Sequence, residues 1–382
     1  MQLPVGKTLD VQLVERQLTQ LWQGNAEARE DGNAAVLRAR VANLLVYVAD
    51  EEALQNSQEI LNDLTAIHPS RVVIMGGLLE ATDQDIEMSV ESVCQTDKRS
   101  GARRLACEEI TLKAQGKFVS ELPSAALPLL VADLPIFLWW RSSPDTANKT
   151  CDSLLEATDR LVVDSAEFVD ADRDLLKLND IFSGKSYDHV GVSDLNWARL
   201  TFWRGLLADF YDVATYRSLL DSVNLVEVDH VSPAQGATLA PQALLIVGWL
   251  ASRLGWKLAE KQTNREDEQK FVLEFAKSSG APVRVELKRV ERDERKPGRL
   301  VRVELKSDAT ESASFKVCRS NDNLHILSEA RLGDVAQSGR VMPVRNRSAA
   351  QLLGREMEIL GNDDIYQQAL AVAAEVLRRR GE

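Results

Sequence analysis

The sequence predicts an α/β protein in two parts. A Rossmann-like domain with a mainly parallel sheet covers residues 1–260, and a smaller α+β domain with an antiparallel meander and C-terminal helices covers residues 261–382. Three observations carry this reading. Short apolar runs such as Asn43–Val48 and Arg71–Met75 alternate with helical stretches, the pattern of parallel strands buried on both faces. Beyond Lys261 the chain turns charged and its apolar residues recur with a period of two. The hexamer VRVELK occurs twice, at Val283–Lys288 and Val301–Lys306, with Lys296, Pro297 and Gly298 as turn material between the copies.

The elements follow in order. Val11–Trp22 is an amphipathic opening helix. Asn43–Val48 is a strand, and Asp50 is placed to cap the next helix, whose Ile60, Leu61, Leu64 and Ile67 share a face. Arg71–Met75 is the next buried strand with Gly76 and Gly77 as its turn, and Glu109–Ala114 alternates as a strand with one wetter face. A helical segment over Ser124–Val131 leads into a strand at Ile136–Trp140, and Asp159–Asp164 supplies another. A polar stretch, Asp170–Ser193, precedes one long helix over Asp194–Asp212, with Leu195, Ala198, Phe202, Leu206 and Phe210 as its core stripe. Val223–Val228 reads as a strand and Gln242–Trp256 as a mostly buried helix. After the charged connector at 260–269 the VRVELK copies form a hairpin, which Ser314–Cys318 and Leu324–Ser328 extend. Two helices parted at Gly361 close the chain, with Asp363 capping the second and Arg378–Arg380 at its negative end.

With 382 residues, 45% of them hydrophobic, the chain can bury a full-sized core without disulfides or a structural metal. A formal net charge of -12 opposes non-specific attraction to nucleic acid or an anionic membrane. The most apolar run, Ala125–Trp140, is broken by Pro128, Asp133 and Pro135, and falls short of the roughly 20 apolar residues that span a bilayer. The opening MQLPVGKTLD lacks the pattern of a signal peptide, so a cytoplasmic address is expected. Cys94, Cys107, Cys151 and Cys318 stand far apart without a C-x-x-C and are expected as reduced thiols. Arg284–Lys306 holds nine Lys/Arg against five Asp/Glu, which suits a solvated sheet face or an acidic partner.

The spacings that mark catalysis are missing from the sequence. Gly76-Gly77 lacks the G-x-G-x-x-G that cradles a pyrophosphate, and Gly184-Lys185-Ser186 imitates a P-loop with Asn179 where its first glycine belongs. There is no G-x-S-x-G, and His68, His189, His230 and His325 have no evident partner for hydrolysis or metal binding. Glu51-Glu52 and Asp363-Asp364 fit helix N-termini, where the dipole stabilises them. No catalytic residue, cofactor or metal is therefore assigned. What remains is aromatic and basic: Trp139, Trp140, Trp197 and Trp203 stand near Arg141, Arg199 and Arg204. Arg199 and Trp203 are spaced i, i+4 on a helix, which lets a guanidinium lie along an indole. Such residues anchor interfaces, and they also extend cores; both readings stay open here.

Four stretches then bear on function: His68–Arg71 (HPSR), Asp133–Arg141 (DLPIFLWWR), Asp159–Phe168 (DRLVVDSAEF) and Asp194–Arg204 (DLNWARLTFWR). In order and spacing they resemble the glucose-6-phosphate dehydrogenase assembly family, OpcA, of cyanobacteria and actinobacteria. The resemblance covers residues 44–212 and continues more loosely to the C-terminus. It implies a non-catalytic protein that binds glucose-6-phosphate dehydrogenase, promotes its active oligomer and activates it allosterically, supporting NADPH supply through the oxidative pentose phosphate pathway. It also implies thioredoxin as a second partner, although no cysteine follows Cys318 to complete a regulatory pair. On this reading Trp139, Trp140, Arg141, Asn196, Trp197, Arg199, Trp203 and Arg204 form a partner contact or pocket, supported by His68, Ser70, Arg71, Asp164 and Asp194. The runner-up is an α/β enzyme or metabolite-binding protein for a phosphorylated or carboxylate ligand, with Arg141 as its grip.

Overall fold

The computed structural model describes residues 2–4, 11–27, 41–65, 67–78, 82–96, 103–184, 186–232, 239–260, 269–291, 298–307, 312–344, 346–359 and 361–380. Lys185, most of the 260–269 connector, and Lys296 and Pro297 lie outside the described residues.

The strands of one sheet are β1 (Gln2–Pro4), β2 (Ala42–Val48), β3 (Ser70–Leu78), β4 (Gln84–Thr96), β5 (Arg103–Gln115), β6 (Ile136–Arg141), β7 (Arg160–Val163) and β8 (Gly191–Asp194). A second sheet holds β9 (Leu225–Val231), β10 (Lys257–Leu258), β11 (Lys270–Ala276), β12 (Pro282–Val290), β13 (Leu300–Ser307), β14 (Ala313–Arg319), β15 (His325–Leu332) and β16 (Val335–Pro343). The helices are α1 (Val11–Glu27), α2 (Glu51–Thr65), α3 (Leu122–Ala126), α4 (Lys149–Glu156), α5 (Ala171–Ser183), α6 (Leu195–Arg199), α7 (Thr201–Asp209), α8 (Ala214–Leu220), α9 (Pro241–Leu254), α10 (Ala349–Glu356) and α11 (Asp364–Arg380).

Two compact units result. One comprises residues 1–163, 184–195 and 348–362, the other residues 164–183, 196–347 and 363–382. This division differs from the expected boundary at residue 260, because β9 already lies inside the second sheet and later segments return to the first unit.

In the first unit the strand order is β1-β4-β5-β3-β2-β6-β7-β8, with β5 through β8 parallel and β4 antiparallel. The order reverses about β2, giving the doubly wound, Rossmann-like arrangement. β2 and β3 are buried almost throughout, since both of their faces are covered. One face of the sheet lies under α2, whose buried stripe is Leu54, Ser57, Leu61 and Leu64. Ile67, expected on that stripe, is exposed, because the helix ends at Thr65. Asp50 caps α2 as expected, its Oδ1 accepting the Ala53 amide at 2.6 Å. Gly76 and Gly77 are not a turn but part of β3. At Gly77 a Cβ would stand 2.8 Å from the Tyr47 hydroxyl, so a glycine lets the ring lie across the strand. Buried Asn43 fixes the entry to β6 by bonding Val131 in both directions, at 2.9 and 2.8 Å.

In the second unit the order is β10-β11-β12-β9-β13-β14-β15-β16, antiparallel except for β12 against β9. The VRVELK copies are therefore not a hairpin: β9 stands between them, parallel to one and antiparallel to the other. The antiparallel run through β13, β14 and β15 is as expected, and β16 extends it by one strand not expected from the sequence. The charged face largely neutralises itself: Arg302 bonds Asp229 at 2.8 Å and Glu227 at 2.9 Å, and Lys306 bonds Glu227 at 3.0 Å. The polar stretch at 170–193 contains α5 and β8, and the expected long helix is broken into α6 and α7 followed by a short 3-10 turn. The break rotates the core stripe. Trp197, Leu200, Trp203, Leu206 and Leu207 are buried, whereas Phe202 is exposed.

Helix α9 packs against α11, and a Cβ at Gly248 would collide with the Ala369 carbonyl oxygen. Because backbone cannot yield as a flexible side chain does, Gly248→Ala is expected to cost about 1–3 kcal/mol. Thermal melts of the variant check this.

Candidate functional site

The reversal of strand order between β2 and β6 is where a doubly wound sheet offers a ligand crevice. Here the groups that follow β2 are Asp50, Glu51 and Glu52, and the helix N-terminus that would meet a pyrophosphate is capped by Asp50. Three carboxylates there repel a phosphate chain. Arg141, at the end of β6, donates to the Ser57 hydroxyl at 2.8 Å and the Ala53 carbonyl at 3.3 Å, tying β6 to α2.

Both tryptophans of the DLPIFLWWR stretch are 1% exposed. Successive residues of a strand point to opposite faces. Trp140 stacks on Tyr47 across the ladder, 4.0 Å between centroids and 8° between planes, while Trp139 lies 4.8 Å beneath the Arg141 guanidinium on the other face. Trp140 Nε1 donates to the Ser143 carbonyl at 3.1 Å. Rings buried this deeply hold Arg141 and the strand end in place; they offer no contact surface themselves.

The supporting residues divide in the same way. Arg71 is buried, its Nε 2.8 Å from Glu108 and its Nη1 2.5 Å from Glu15. Burial works against its charge, but the bonds to Glu15 and Glu108 outweigh this and raise the pKa of Arg71. Ser70 donates to the His68 carbonyl at 3.2 Å. His68 lies against Gly354 of α10, where a Cβ would stand 2.7 Å from the imidazole, and Nε2 is 3.6 Å from Glu358. Asp194 is fully buried at the end of β8.

The second unit collects most of the other expected residues. Asp164, the first residue after β7, receives Arg199 through two bonds of 2.7 Å, a bidentate pair. Arg199 is thus committed to a carboxylate and not to Trp203, as the i, i+4 spacing suggested. On these helices it is Arg204 that covers an indole, 3.4 Å from the Trp197 centroid. Buried Trp203 has Arg319 at 5.8 Å instead. Trp197 Nε1 donates at 2.9 Å to Asp363 Oδ2, whose Oδ1 accepts the Tyr366 amide and so caps α11. Asn196 donates to Ser165 Oγ at 3.1 Å and accepts from Gln242 at 2.7 Å, and Gln242 in turn accepts the Leu300 amide at 3.0 Å.

Sequence reasoning misses three members of this cluster. Gln242 and Asp363 come from distant helix starts, and Arg299 stands alone before β13 with no spacing to betray it. Burial and the nearby Arg199 push the Arg299 pKa down, and Asp164 pulls it back up. Among the described thiols, Cys151 is buried and Cys318 half-buried, with burial raising the Cys318 pKa; the side chains of Cys94 and Cys107 lie outside the described residues. No group of His, Cys, Asp and Glu arranged to hold a metal occurs among the described residues, and no described helix is long and apolar enough to cross a membrane.

Residues 61–180 match the family model described as the glucose-6-phosphate dehydrogenase subunit N-terminal domain, and residues 190–370 match the corresponding C-terminal domain, both of OpcA. The chain belongs to the OpcA family. Among OpcA relatives, the protein of Nostoc punctiforme, provisionally named an OxPP cycle protein, is 27% identical over 330 residues, 84% of this chain and 68% of that protein. That of Synechococcus elongatus, named likewise, is 28% identical over 328 residues, 84% of this chain and 70% of its own length. The OpcA protein of Synechocystis is 26% identical, and this chain covers 66% of it. Solved structures similar to this OpcA chain include the 3-ketoreductase KijD10 of Actinomadura kijaniata, at 8% identity and TM-score 0.48, covering 88% of this chain and 96% of that one. A levoglucosan dehydrogenase is similar at 11% identity and TM-score 0.46, with 90% and 97% covered.

Proposed function

We propose that this OpcA protein is a non-catalytic assembly factor and allosteric activator of glucose-6-phosphate dehydrogenase, serving NADPH production in the oxidative pentose phosphate pathway. The observation that carries the reading is the family match across both halves of the chain under the name of a dehydrogenase subunit. The acidic start of α2 supports it: with Asp50 on the helix N-terminus and Glu51 and Glu52 beside it, a dinucleotide pyrophosphate meets like charge there.

An activator acts by binding one state of its target more tightly than another, and a tenfold effect needs a preference of only about 1.4 kcal/mol. Arg204 is suited to supply contact energy. It is half-buried on Trp197, so a partner group completes the desolvation of a pair already formed. Thioredoxin belongs to this proposal only as a partner for thiols. Buried Cys151 is poorly placed for exchange, and Cys318 has its thiolate disfavoured.

Size-exclusion chromatography of the chain mixed with purified glucose-6-phosphate dehydrogenase tests the reading. Co-elution, saturable stimulation at limiting dehydrogenase and no turnover by this chain alone are expected. Separate elution under all salt conditions, or conversion of glucose 6-phosphate by the isolated chain, overturns it.

A further inference from the structure

We infer that the open face of the second unit's sheet is an interface for a second copy of this chain, joined through matched rows of opposite charge. The sheet has two unlike faces. Val285 of β12, Val226 of β9, Leu305 of β13 and Phe315 of β14 stand in register and are buried on one of them. The other face carries charge, sorted by row. Glu286, Glu227 and Glu304 lie side by side across β12, β9 and β13, and the row continues through Lys316 to Glu329 on β14 and β15. One step along the strands, about 7 Å away, the next row in the same register is Arg284, Leu225, Lys306, Ser314 and Arg331.

Three observations make this face complementary to itself. The first is the sorting. Like charges directly opposite on neighbouring strands repel, so a run of three carboxylates costs a lone sheet stability that an overlying basic row offsets. Arg302 and Lys306 bond Glu227 at 2.9 and 3.0 Å, which keeps the row charged. The second is height. The side chains of Arg284, Lys306 and Arg331 are 37%, 33% and 55% exposed, against 17%, 12% and 27% for Glu286, Glu304 and Glu329, so basic tips stand above an acidic furrow. The third is net charge. With Lys288, Asp229 and Arg302 of the row on the other side, the five strands present six basic and five acidic side chains here, on a chain of formal net charge -12. Two copies that repel elsewhere meet no such barrier at this face.

A two-fold axis parallel to the rows and midway between them lays Glu286 on Arg284 of the second copy, Glu304 on its Lys306 and Glu329 on its Arg331, and the same pairs recur with the copies exchanged. Glu227 then faces Leu225 and Lys316 faces Ser314, so no like charges meet across these two rows. The strands stack as two aligned sheets do. Because the pairs are partly solvated, the association is of modest affinity and weakens as salt screens it. This inference does not depend on the assembly reading and concerns the isolated chain.

The test is sedimentation velocity of the full chain at about 50 µM. A dimer is expected at about 50 mM salt and a monomer at about 0.5 M. Arg331→Glu sets carboxylates against each other at both symmetric contacts, and Glu329→Arg does the same with cations. Each is expected to weaken the dimer about tenfold or more while the melting curve stays cooperative. Mixed in equal amounts, the two variants regain opposite charge at both contacts, and a heterodimer is expected; damage confined to one chain's own fold does not recover on mixing. A monomer at low salt overturns the proposal, as does a dimer that survives about 0.5 M salt or both substitutions, or a mixture that stays monomeric. A monomer at low salt whose co-elution with glucose-6-phosphate dehydrogenase is lost in Arg331→Glu also overturns it and assigns the face to that enzyme.

Discussion

Replacing Arg71 by methionine is expected to destabilise the first unit by about 3–5 kcal/mol, the cost of taking the guanidinium out of a buried ion pair. Arg71 is 2% exposed and Glu108 1%, and they face each other across β3 and β5 with 2.8 Å between Arg71 Nε and Glu108 Oε2. Arg71 also bonds Glu15 of α1 and the Leu129 carbonyl, so one side chain joins two strands, a helix and a 3-10 turn. Methionine fills the space but bonds none of them. Glu108, deprived of this guanidinium, then takes up a proton more readily, so the loss is smaller at pH 5 than at pH 8. Removing both charges, Arg71→Met with Glu108→Leu, restores most of the stability, because an apolar pair demands no compensation. Urea unfolding of the single and double variants at the two pH values checks this. A single variant within about 1 kcal/mol of the native chain excludes the buried pair as a main tie of the sheet.

How far the sequence speaks depends on where each contact is made. β2, β3 and β7 are legible because a strand covered on both faces must be mostly apolar, and LLVYV, VVIM and LVV follow the single polar residue that opens each quoted run. The caps at Asp50 and Asp363 are legible because a carboxylate at a helix start satisfies local amides. The pairing of distant strands is not local. Nothing in VRVELK tells that β9, about 60 residues upstream of the nearer copy, inserts between the two copies. The long helix over Asp194–Asp212 fails for a similar reason. Its composition favours helix throughout, yet burial of Trp197 and Trp203 selects a break after Arg199 that gives the indoles one side and Phe202 the other. In the candidate site, Arg199, Trp197 and Arg204 announce themselves by residue type. The partners Asp164 of Arg199 and Asp363 of Trp197, like Gln242 of Asn196, arrive through the fold, and whether an arginine meets an indole or a carboxylate is decided there.

Glu109→Gln is expected to stabilise the first unit above neutral pH and to leave it nearly unchanged near pH 4.5. Glu109 neighbours Glu108 in β5 but points to the opposite face, under α2, where Gln58 Nε2 donates to it at 3.4 Å. Burial pushes its pKa up from 4.5 to about 7; the bond from Gln58 opposes the shift and Glu91, opposite on β4, adds to it. Raised folded affinity for a proton fixes the sign. Relative to the unfolded chain the group favours folding below about pH 4.5, and that contribution is lost as pH rises through 7. The amide has the same shape and never ionises, so the variant keeps what the native chain loses, roughly 2–3 kcal/mol at pH 8. Urea unfolding from pH 4.5 to 8 should show the two chains diverging across this window. Parallel curves would mean that Glu109 keeps an ordinary carboxylate affinity, and that water or Gln58 compensates the ion fully under α2. The contrast with Arg71 follows from the same rule. On one face of β5 a carboxylate is matched by a guanidinium, and removing the match costs stability; on the other it is unmatched, and removing the charge restores it.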